Sequence, residues 1–278
     1  MTIVLKWIGR LVTFVILLAL TGYAGVCGYL YAKQRDMLYI TPHTQVRLPV
    51  EAVPGIQDVR LKTPDGETLQ AWYLPPRDGK PIFLFFGGQG SSLEVQMGRY
   101  TRMAAMGDGF LALAYRGFSQ STGHPSEDGL FMDGLVAYDW LKAQGYGRER
   151  IVLHGHSLGS GVATYVATQR PARGLILEAP FTAASDVGQE RYPYIPVQFL
   201  MQDKFASRDR IGAVYMPVLI VHGDRDSVVP FAHGQRLFAR ANQPKTFIRM
   251  AGEDHSTLTR AGIYDRYQAW VEGLPAPR

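Results

Sequence analysis

Residues 151–161 read Ile-Val-Leu-His-Gly-His-Ser-Leu-Gly-Ser-Gly, and the fold is decided here. The apolar residues 151–153 predict a buried strand, and an apolar helical pattern follows over 158–168. Between them lies a Gly-x-Ser-x-Gly sequence centred on Ser157. The two glycines permit a sharp strand-to-helix turn that exposes the serine hydroxyl at the carboxyl end of a sheet.

Glycine and serine are common residues, so this motif alone is weak, and its weight comes from the strand before it and the helix after it. We therefore predict that Ser157 is a nucleophile. The alternative is a glycine-rich helix start with a solvated serine.

Strands and helices alternate along the rest of the chain. Apolar runs predict strands at 58–61, 68–74, 81–86, 109–115, 151–153, 175–177, 218–221 and 246–250. Helical patterns cover 93–106, 127–144, 158–168, 231–241 and 258–271. A Pro-Asp-Gly turn at 64–66 joins the first two strands as a hairpin. The alternation predicts a mainly parallel α/β sheet with an antiparallel start.

A nucleophilic serine requires a base and an acid that orients the base. Asp224 and Asp226 both follow the predicted strand 218–221, and by position either can be that acid. His255 lies on the loop after the last predicted strand, from which it can reach back over the sheet to Ser157. The resulting order along the chain is Ser, Asp, His.

Other histidines offer a different chemistry. Three border strands and one lies on a predicted helix, and we interpret them as structural: His154, His156, His222 and His233. A metal site would pair His154 and His156 with one of the two aspartates. A triad explains more of the same residues.

A second glycine-rich loop, Phe-Gly-Gly-Gln-Gly at 86–90, follows the predicted strand 81–86. Its glycines let a backbone N–H approach an oxyanion, and we predict that the N–H groups of Gln89 and Leu158 form this hole. A phosphate-binding loop is the competing interpretation. It fails because there is no G-x-x-x-x-G-K-[ST] and no third glycine completes G-x-G-x-x-G around Gly88.

The amino-terminal region predicts a membrane helix. Residues 11–32 carry no charge, and as a helix they span about 33 Å against a hydrocarbon core of about 30 Å. Lys6 and Arg10 precede the run, and Lys33 and Arg35 follow it. We predict an uncleaved single-pass anchor in contact with the lipid bilayer.

The competing interpretation of this region is a cleaved signal peptide, whose apolar stretch is usually shorter. Gly22-Tyr23-Ala24 is also a poor cleavage site. The flanking charges are balanced, so orientation is weakly specified. We expect the catalytic domain on the extracytoplasmic side of the membrane.

Composition excludes several classes of protein. The chain has 278 residues, of which 46% are hydrophobic and 19% charged, as in an ordinary globular protein rather than a disordered, collagenous or coiled-coil one. A net charge of +5 is too small to indicate nucleic acid binding. The single cysteine, Cys27, lies inside the apolar run, which excludes an intrachain disulfide and a cysteine-based zinc site.

Five blocks together resemble the α/β-hydrolase superfamily. They are FFGGQGSS (85–92), YRGFSQSTGHPSEDGL (115–130), GHSLGSG (155–161), HGDRDSVVP (222–230) and GEDHSTL (252–258). More narrowly, the chain resembles a branch of small-capped serine hydrolases with an amino-terminal membrane anchor, whose members include serine-aminopeptidase-like hydrolases and protein depalmitoylases. The resemblance runs from about Asp36 to the end.

The resemblance implies a choice between the aspartates. In relatives the acid block reads H-G-x-x-D-x-x-V-P, which selects Asp226. Their oxyanion loop usually begins with histidine and has asparagine third, where this chain has Gly87 and Gln89. The backbone donor at Gln89 survives that change. Arg116 of the second block is interpreted as structural rather than catalytic.

Residues 180–211 separate two predicted core strands by a connection that is long for this architecture. The segment is rich in apolar and aromatic residues, including Tyr192, Tyr194 and Phe199. Two interpretations stay open: a small cap beside the pocket, or ordinary packing over the sheet edge.

The sequence thus predicts an anchor at 1–35 and an α/β-hydrolase domain at 36–278, with about eight strands flanked by helices and a cap insertion at 180–211. Ser157, His255 and Asp226 would cleave a carboxylic ester or thioester through an acyl-enzyme, with no cofactor or metal. The expected substrate is a small-molecule or lipid-like acyl compound, or an acylated protein. The alternatives are an acyltransferase, a peptidase, and a non-catalytic binding module on the same fold.

Overall fold

The computed structural model describes residues 2–41, 47–258 and 262–274. Its sheet contains β1 (Gln57–Lys62), β2 (Thr68–Leu74), β3 (Ile82–Phe86), β4 (Gly109–Leu113), β5 (Ile151–His156), β6 (Gly174–Glu178), β7 (Val218–Gly223) and β8 (Lys245–Met250). The spatial order is β1-β2-β4-β3-β5-β6-β7-β8. The two pairings of β2, with β1 and β4, are antiparallel, and every other pairing is parallel. The predicted, mainly parallel sheet with an antiparallel start is confirmed.

Helices connect and cover these strands. They are α1 (Thr2–Leu38), α2 (Met97–Met106), α3 (Glu127–Ala143), α4 (Leu158–Gln169), α5 (Ala184–Arg191), α6 (Val197–Leu200), α7 (Ser207–Arg210), α8 (Phe231–Arg240) and α9 (Ile263–Glu272). The strands β3, β4, β6 and β7 are buried along their whole length. Their unbroken apolar sequences suit a sheet that is covered on both faces.

Two helix starts differ from the sequence prediction. The last helix begins at Ile263 rather than at 258, because Gly262 before it has a left-handed backbone with φ of 68°. Residues 259–261 of the predicted helix lie outside the described residues. A 3₁₀ turn at Glu94–Gln96 replaces the first part of the helix predicted at 93–106.

The amino-terminal helix α1 is longer than the uncharged run that predicted it. Its 37 residues correspond to about 55 Å. By length and composition, Ile3–Leu38 can cross a membrane, and its most apolar portion is not buried against the rest of the protein. The helix therefore extends beyond a bilayer core of about 30 Å, and its last turns reach the globular part of the chain.

A buried ion pair includes Glu178, whose backbone carbonyl accepts a hydrogen bond from the Ser157 N–H. The two terminal guanidinium nitrogens of Arg99 on α2, Nη1 and Nη2, donate to the Glu178 carboxylate at the end of β6, at 2.9 and 2.7 Å. His154 lies 3.1 Å from the same carboxylate, and the Tyr267 hydroxyl donates to it. Burial opposes the charge, yet Arg99 and His154 hold the pKa of Glu178 well below its ordinary value. The network joins β5, β6, α2 and α9.

We expect Arg99→Met to destabilise the protein by about 3–5 kcal/mol, because it leaves the Glu178 carboxylate buried without its cation. The double variant Arg99→Met/Glu178→Leu should lose less, since both charges are then absent. Thermal unfolding of the full chain in detergent measures both. A double variant that is less stable than Arg99→Met would contradict this account.

Candidate active site

Ser157 occupies a sharp turn between β5 and α4 that only glycine neighbours permit. Its φ and ψ are 52° and −120°, in a region that side chains rarely adopt. A Cβ on Gly155 would lie 2.3 Å from the carbonyl oxygen of Gly159, and one on Gly159 would lie 2.1 Å from that of Phe86. The Ser157 N–H donates to the Glu178 carbonyl at 2.9 Å, which helps to hold the strained turn.

The three residues singled out from the sequence form a hydrogen-bonded chain. Ser157 Oγ lies 2.9 Å from His255 Nε2, and His255 Nδ1 lies 2.8 Å from Asp226 Oδ2. Asp226 follows β7 and His255 follows β8, so each side chain comes from a loop at the carboxyl end of a strand. With Nδ1–H donated to the carboxylate, Nε2 is free to accept the serine proton.

The Asp226 carboxylate is fully buried and accepts several hydrogen bonds. Its Oδ1 accepts from the N–H groups of Val228 and Val229, at 2.9 and 2.7 Å. Burial favours the neutral form, but contacts with His222 and His255 and the Val229 N–H bond hold the pKa of Asp226 well below its ordinary value. The carboxylate is therefore ionised throughout the neutral range.

His222 contacts the same oxygen of this carboxylate as His255 does. Its Nε2 lies 2.9 Å from the Val229 carbonyl and 3.2 Å from Asp226 Oδ2. A carbonyl oxygen can only accept a hydrogen bond, so the His222 Nε2 that contacts it must carry the proton. A Cβ on Gly234 of α8 would lie 2.4 Å from His222 Nδ1, so this glycine leaves room for the ring. Sequence reasoning interpreted His222 as structural and gave no sign of its contact with Asp226.

Asp254 is a second residue that sequence reasoning missed. Its Oδ1 accepts from the Ser227 N–H at 2.7 Å, from the Ser227 hydroxyl at 2.9 Å and from the His255 N–H at 2.8 Å. One carboxylate thereby joins the loop of Asp226 to the loop of His255. Its position directly before His255 was the one available signal in the sequence, and this position does not distinguish an acid that links two loops from a solvated one.

Asp224, the other acid allowed by position, points elsewhere. Its carboxylate pairs with Arg249 at 2.7 Å and accepts from the Gly252 N–H at 2.7 Å. These contacts link the loop after β7 to the end of β8. Of the two aspartates, the structure brings Asp226 to the histidine.

The remaining histidines make separate contacts. His233 lies 2.8 Å from the Thr182 hydroxyl, and His156 Nε2 lies 3.4 Å from the carbonyl of His255. Burial lowers the pKa of His156 to about 4, so this ring is neutral at physiological pH. Among residues 2–41, 47–258 and 262–274, no group of three or more potential ligands is arranged to hold a metal.

The two predicted oxyanion donors belong to segments that adjoin the serine. Leu158 is the first residue of α4, and the loop containing Gln89 touches Ser157, because a Cβ on Gly88 would lie 3.1 Å from the serine Cβ. Within the described residues, neither backbone amide donates a hydrogen bond. The Gln89 side chain instead donates to the Met37 carbonyl of α1 at 2.7 Å.

A cavity of about 340 Å³ opens at Ser157, within the usual range for ligand pockets. Its walls come from the end of α1, from the 180–211 segment and from the loop after β7. Apolar residues dominate them, including Leu30, Met37, Val187, Ile195, Leu200 and Val229. The site therefore joins a serine to an apolar chamber that α1 helps to enclose.

Polar contacts fix α1 against the 180–211 segment. Arg35 makes a two-pronged ion pair with Asp203, at 2.8 and 3.1 Å. The Gln34 side chain donates to the Leu200 carbonyl at 3.2 Å and accepts from the Gln202 N–H at 2.7 Å. The cavity wall that α1 supplies is thus held in place by residues 34 and 35.

A family model described as the prolyl oligopeptidase family matches residues 116–272. The chain belongs to the prolyl oligopeptidase family. An uncharacterized protein of Mycobacterium tuberculosis is 34% identical over 236 residues, which are 84% of each chain. The lysophosphatidylserine lipase ABHD12 of Danio rerio is 32% identical over 232 residues, which cover 75% of this chain and 59% of that protein.

Solved structures share the fold of this hydrolase at low identity. An esterase of Pyrococcus furiosus has a TM-score of 0.67 at 18% identity, covering 84% of this chain and 96% of its own. A bacterial membrane phospholipase A, described as a virulence factor, has a TM-score of 0.62 at 16% identity, covering 95% and 97%. The predicted α/β-hydrolase fold is confirmed, and the chain is a serine hydrolase of the esterase or lipase type.

We expect Asp226→Asn to lower kcat by about 10³–10⁴-fold, because an amide favours the wrong imidazole tautomer. Asp224→Asn, the matched control on the same loop, should lower kcat by less than about tenfold, since Asp224 supports the loop without touching the histidine. Hydrolysis of p-nitrophenyl acetate is compared at equal folded fraction, checked by thermal melting. A larger loss in Asp224→Asn would exclude Asp226 as the orienting acid.

Proposed function

We propose that this hydrolase cleaves the carboxylic ester of an acyl lipid through an acyl-enzyme on Ser157. One observation carries the proposal: the Ser157–His255–Asp226 chain, with contacts of 2.9 and 2.8 Å, opens onto an apolar cavity. A positioned serine and base supply acyl transfer, and an apolar cavity selects acyl chains.

The mechanism has two halves. His255 Nε2 takes the Ser157 proton as the serine oxygen attacks the carbonyl carbon, and the resulting imidazolium protonates the departing alcohol as the ester C–O bond breaks. His255 then takes a proton from a water molecule as its oxygen attacks the acyl-serine, and it returns this proton to the Ser157 oxygen as the acyl C–O bond breaks and the fatty acid is released. Asp226 holds the imidazole tautomer and stabilises the imidazolium, and the amides of Gln89 and Leu158 bind the oxyanion. These steps require no cofactor and no metal.

The cavity lining supports an anionic acyl lipid as the substrate. Arg191 is the one charged residue in the described lining, and it is exposed. Among the described residues it has no ion-pair partner. A guanidinium at the edge of an apolar cavity can bind the phosphate or carboxylate of a lysophospholipid whose chain enters the cavity. The relative named a lysophosphatidylserine lipase supports this substrate class.

Other reactions on the same residues are less well supported. The family name includes peptidases, but the described cavity lining contains no carboxylate to bind the amino group of a free peptide terminus. A thioester, on an acylated protein or a small carrier, would react by the same steps. Acyl transfer would leave the same acyl-enzyme and differ only in the acceptor, so product analysis distinguishes it from hydrolysis.

The same proposal assigns the remaining parts of the chain. Residues 1–35 form a single-pass anchor that crosses the bilayer at 11–32, and residues 36–278 form the hydrolase domain on the extracytoplasmic side. The 180–211 segment acts as a small cap over the cavity. The continuity of α1 to Leu38 means that anchor and cavity wall are parts of one helix.

We expect Ser157→Ala to abolish labelling by a fluorophosphonate probe and hydrolysis of p-nitrophenyl acetate, because no other group replaces the attacking oxygen. Probe labelling, with thermal melting as the folding control, measures this. An alanine variant that turns over the ester at the wild-type rate would remove Ser157 from the mechanism.

We expect Arg191→Gln to raise KM for lysophosphatidylserine by about threefold, the size of an exposed ion pair, and to leave KM for a neutral monoacylglycerol unchanged. The neutral lipid is the matched control, because it shares the chain and lacks the anion. Kinetics on both lipids in mixed micelles measure the effect. An equal rise for both substrates would assign Arg191 to packing rather than to headgroup binding.

A further inference from the structure

Residues 192–201, here called the cap tip, read Tyr-Pro-Tyr-Ile-Pro-Val-Gln-Phe-Leu-Met and carry no charge. They connect α5 to the chain beyond α6. Two of their large apolar side chains face outward: Phe199 is 89% exposed and Tyr194 is 88% exposed. Two large side chains left so open on one short uncharged segment favour a surface that meets something other than water.

The cap tip lies alongside the helix that we assign to the bilayer. The Tyr23 hydroxyl of α1 donates to the carbonyl of Tyr194 at 2.7 Å. Tyr23 lies inside the uncharged run 11–32, nine residues before its end, which is a depth of about 14 Å along a helix. This is nearly half of a hydrocarbon core of about 30 Å. A helix that crosses the membrane at 11–32 therefore carries Tyr194 into the same leaflet.

The backbone carbonyls at the start of the cap tip, those of residues 192–195, have partners within the protein. The side-chain amide nitrogen of Gln189 lies 3.0–3.4 Å from three backbone carbonyl oxygens, those of residues 192, 193 and 195. The Tyr23 hydroxyl bonds the fourth, at 194, and the prolines at 193 and 196 have no N–H to satisfy. Irregular backbone within hydrocarbon requires such internal partners, because an unpaired polar group there costs several kcal/mol.

The cavity that reaches Ser157 runs between the same two elements. Leu30 and Tyr31 of α1 line it on one side, and Ile195 and Leu200 of the cap tip line it on the other. Leu30 and Tyr31 lie two residues and one residue before the end of the uncharged run at residue 32. The cavity that leads to Ser157 therefore begins at the level where the hydrocarbon core of the bilayer would end.

We propose that the cap tip inserts into the lipid bilayer beside α1, with Tyr194 and Phe199 in the hydrocarbon, and that the gap between them is a side entrance for acyl chains. A lipid ester reaches Ser157 through this entrance without its chain passing through water. The entrance rests on the proposed lipid esterase function, whereas insertion of the cap tip rests only on the proposed crossing of the bilayer by α1.

Insertion is tested by spin labels on the full chain in phosphatidylcholine–phosphatidylglycerol vesicles. Labels are placed by Phe199→Cys and by Tyr215→Cys, both in a Cys27→Ala background. Tyr215 is the matched control, because it is 80% exposed and precedes the amino end of β7, opposite the site. We expect the label at 199 to collide more with dissolved oxygen than with a water-soluble nickel complex, and the label at 215 to show the reverse.

Two results would overturn insertion. One is a label at 199 that meets the nickel complex as readily as the label at 215 does. The other is a label at 199 shielded from both agents, which would place a protein partner or a second copy of the chain on the cap tip.

The entrance is tested by Phe199→Glu and Tyr194→Glu, with Tyr215→Glu as control. Neither residue lines the cavity. We expect the first two variants to hydrolyse a lysophospholipid in vesicles at least about tenfold more slowly, since a charge in hydrocarbon is costly, while p-nitrophenyl acetate hydrolysis and the control variant are unchanged.

Failure of the entrance and failure of the proposed function give different results. Full activity of the glutamate variants on the vesicle lipid would overturn the entrance and leave the lipid esterase intact. Glutamate variants that melt like the wild type but lose hydrolysis of both the vesicle lipid and p-nitrophenyl acetate would also overturn the entrance, because the substitutions would then act on the catalytic site. A wild-type chain that cleaves the soluble ester and no vesicle lipid would overturn the lipid substrate, while the spin labels would still decide insertion.

Discussion

The start of α4 touches the carboxyl end of β3, and no side chain fits between them. A Cβ on Gly159 would lie 2.1 Å from the Phe86 carbonyl oxygen, so the helix begins against bare backbone. This approach forces the chain to reverse within one residue, and Ser157 takes the positive φ that results. It also brings the loop after β3 beside the serine. Nucleophile and oxyanion loop are therefore products of one close contact between two backbones.

Among the described residues, the charged group that contacts the His255 ring is the Asp226 carboxylate, and the other charges near the site have partners of their own. The buried Glu178 carboxylate is paired with Arg99, and the Asp224 carboxylate is paired with Arg249. His156, whose ring centroid lies 5.2 Å from that of His255, is neutral because burial lowers its pKa to about 4. When His255 becomes an imidazolium, the ionised Asp226 carboxylate stabilises its charge, and the neighbouring His156 ring, being neutral, does not repel it. This arrangement suits a base that must gain and lose a proton in each turnover.

Local patterns predicted what local forces determine. The apolar run at 81–86 became a strand buried along its length, and the Gly-x-Ser-x-Gly sequence became the turn, because backbone sterics and burial act within a few residues. Arg99 and Glu178 are 79 residues apart in the sequence, and no local pattern of residues predicts their contact. Position alone left Asp224 and Asp226 equivalent, and family resemblance chose between them. The start of the last helix was placed too early, because apolar periodicity does not register the left-handed turn at Gly262.

The sequence separated an anchor from a domain, whereas the fold makes the anchor part of the cavity. Charges mark a boundary in composition at Lys33, but a helix does not end where its polarity changes, and α1 continues to Leu38. Its contacts at Tyr23 and Arg35 are about 18 Å apart along the axis. Two points of attachment on one rigid rod leave it little freedom to tilt against the 180–211 segment. In the proposed arrangement, the orientation of α1 in the bilayer therefore sets the orientation of the cavity and of Ser157, without a hinge between them.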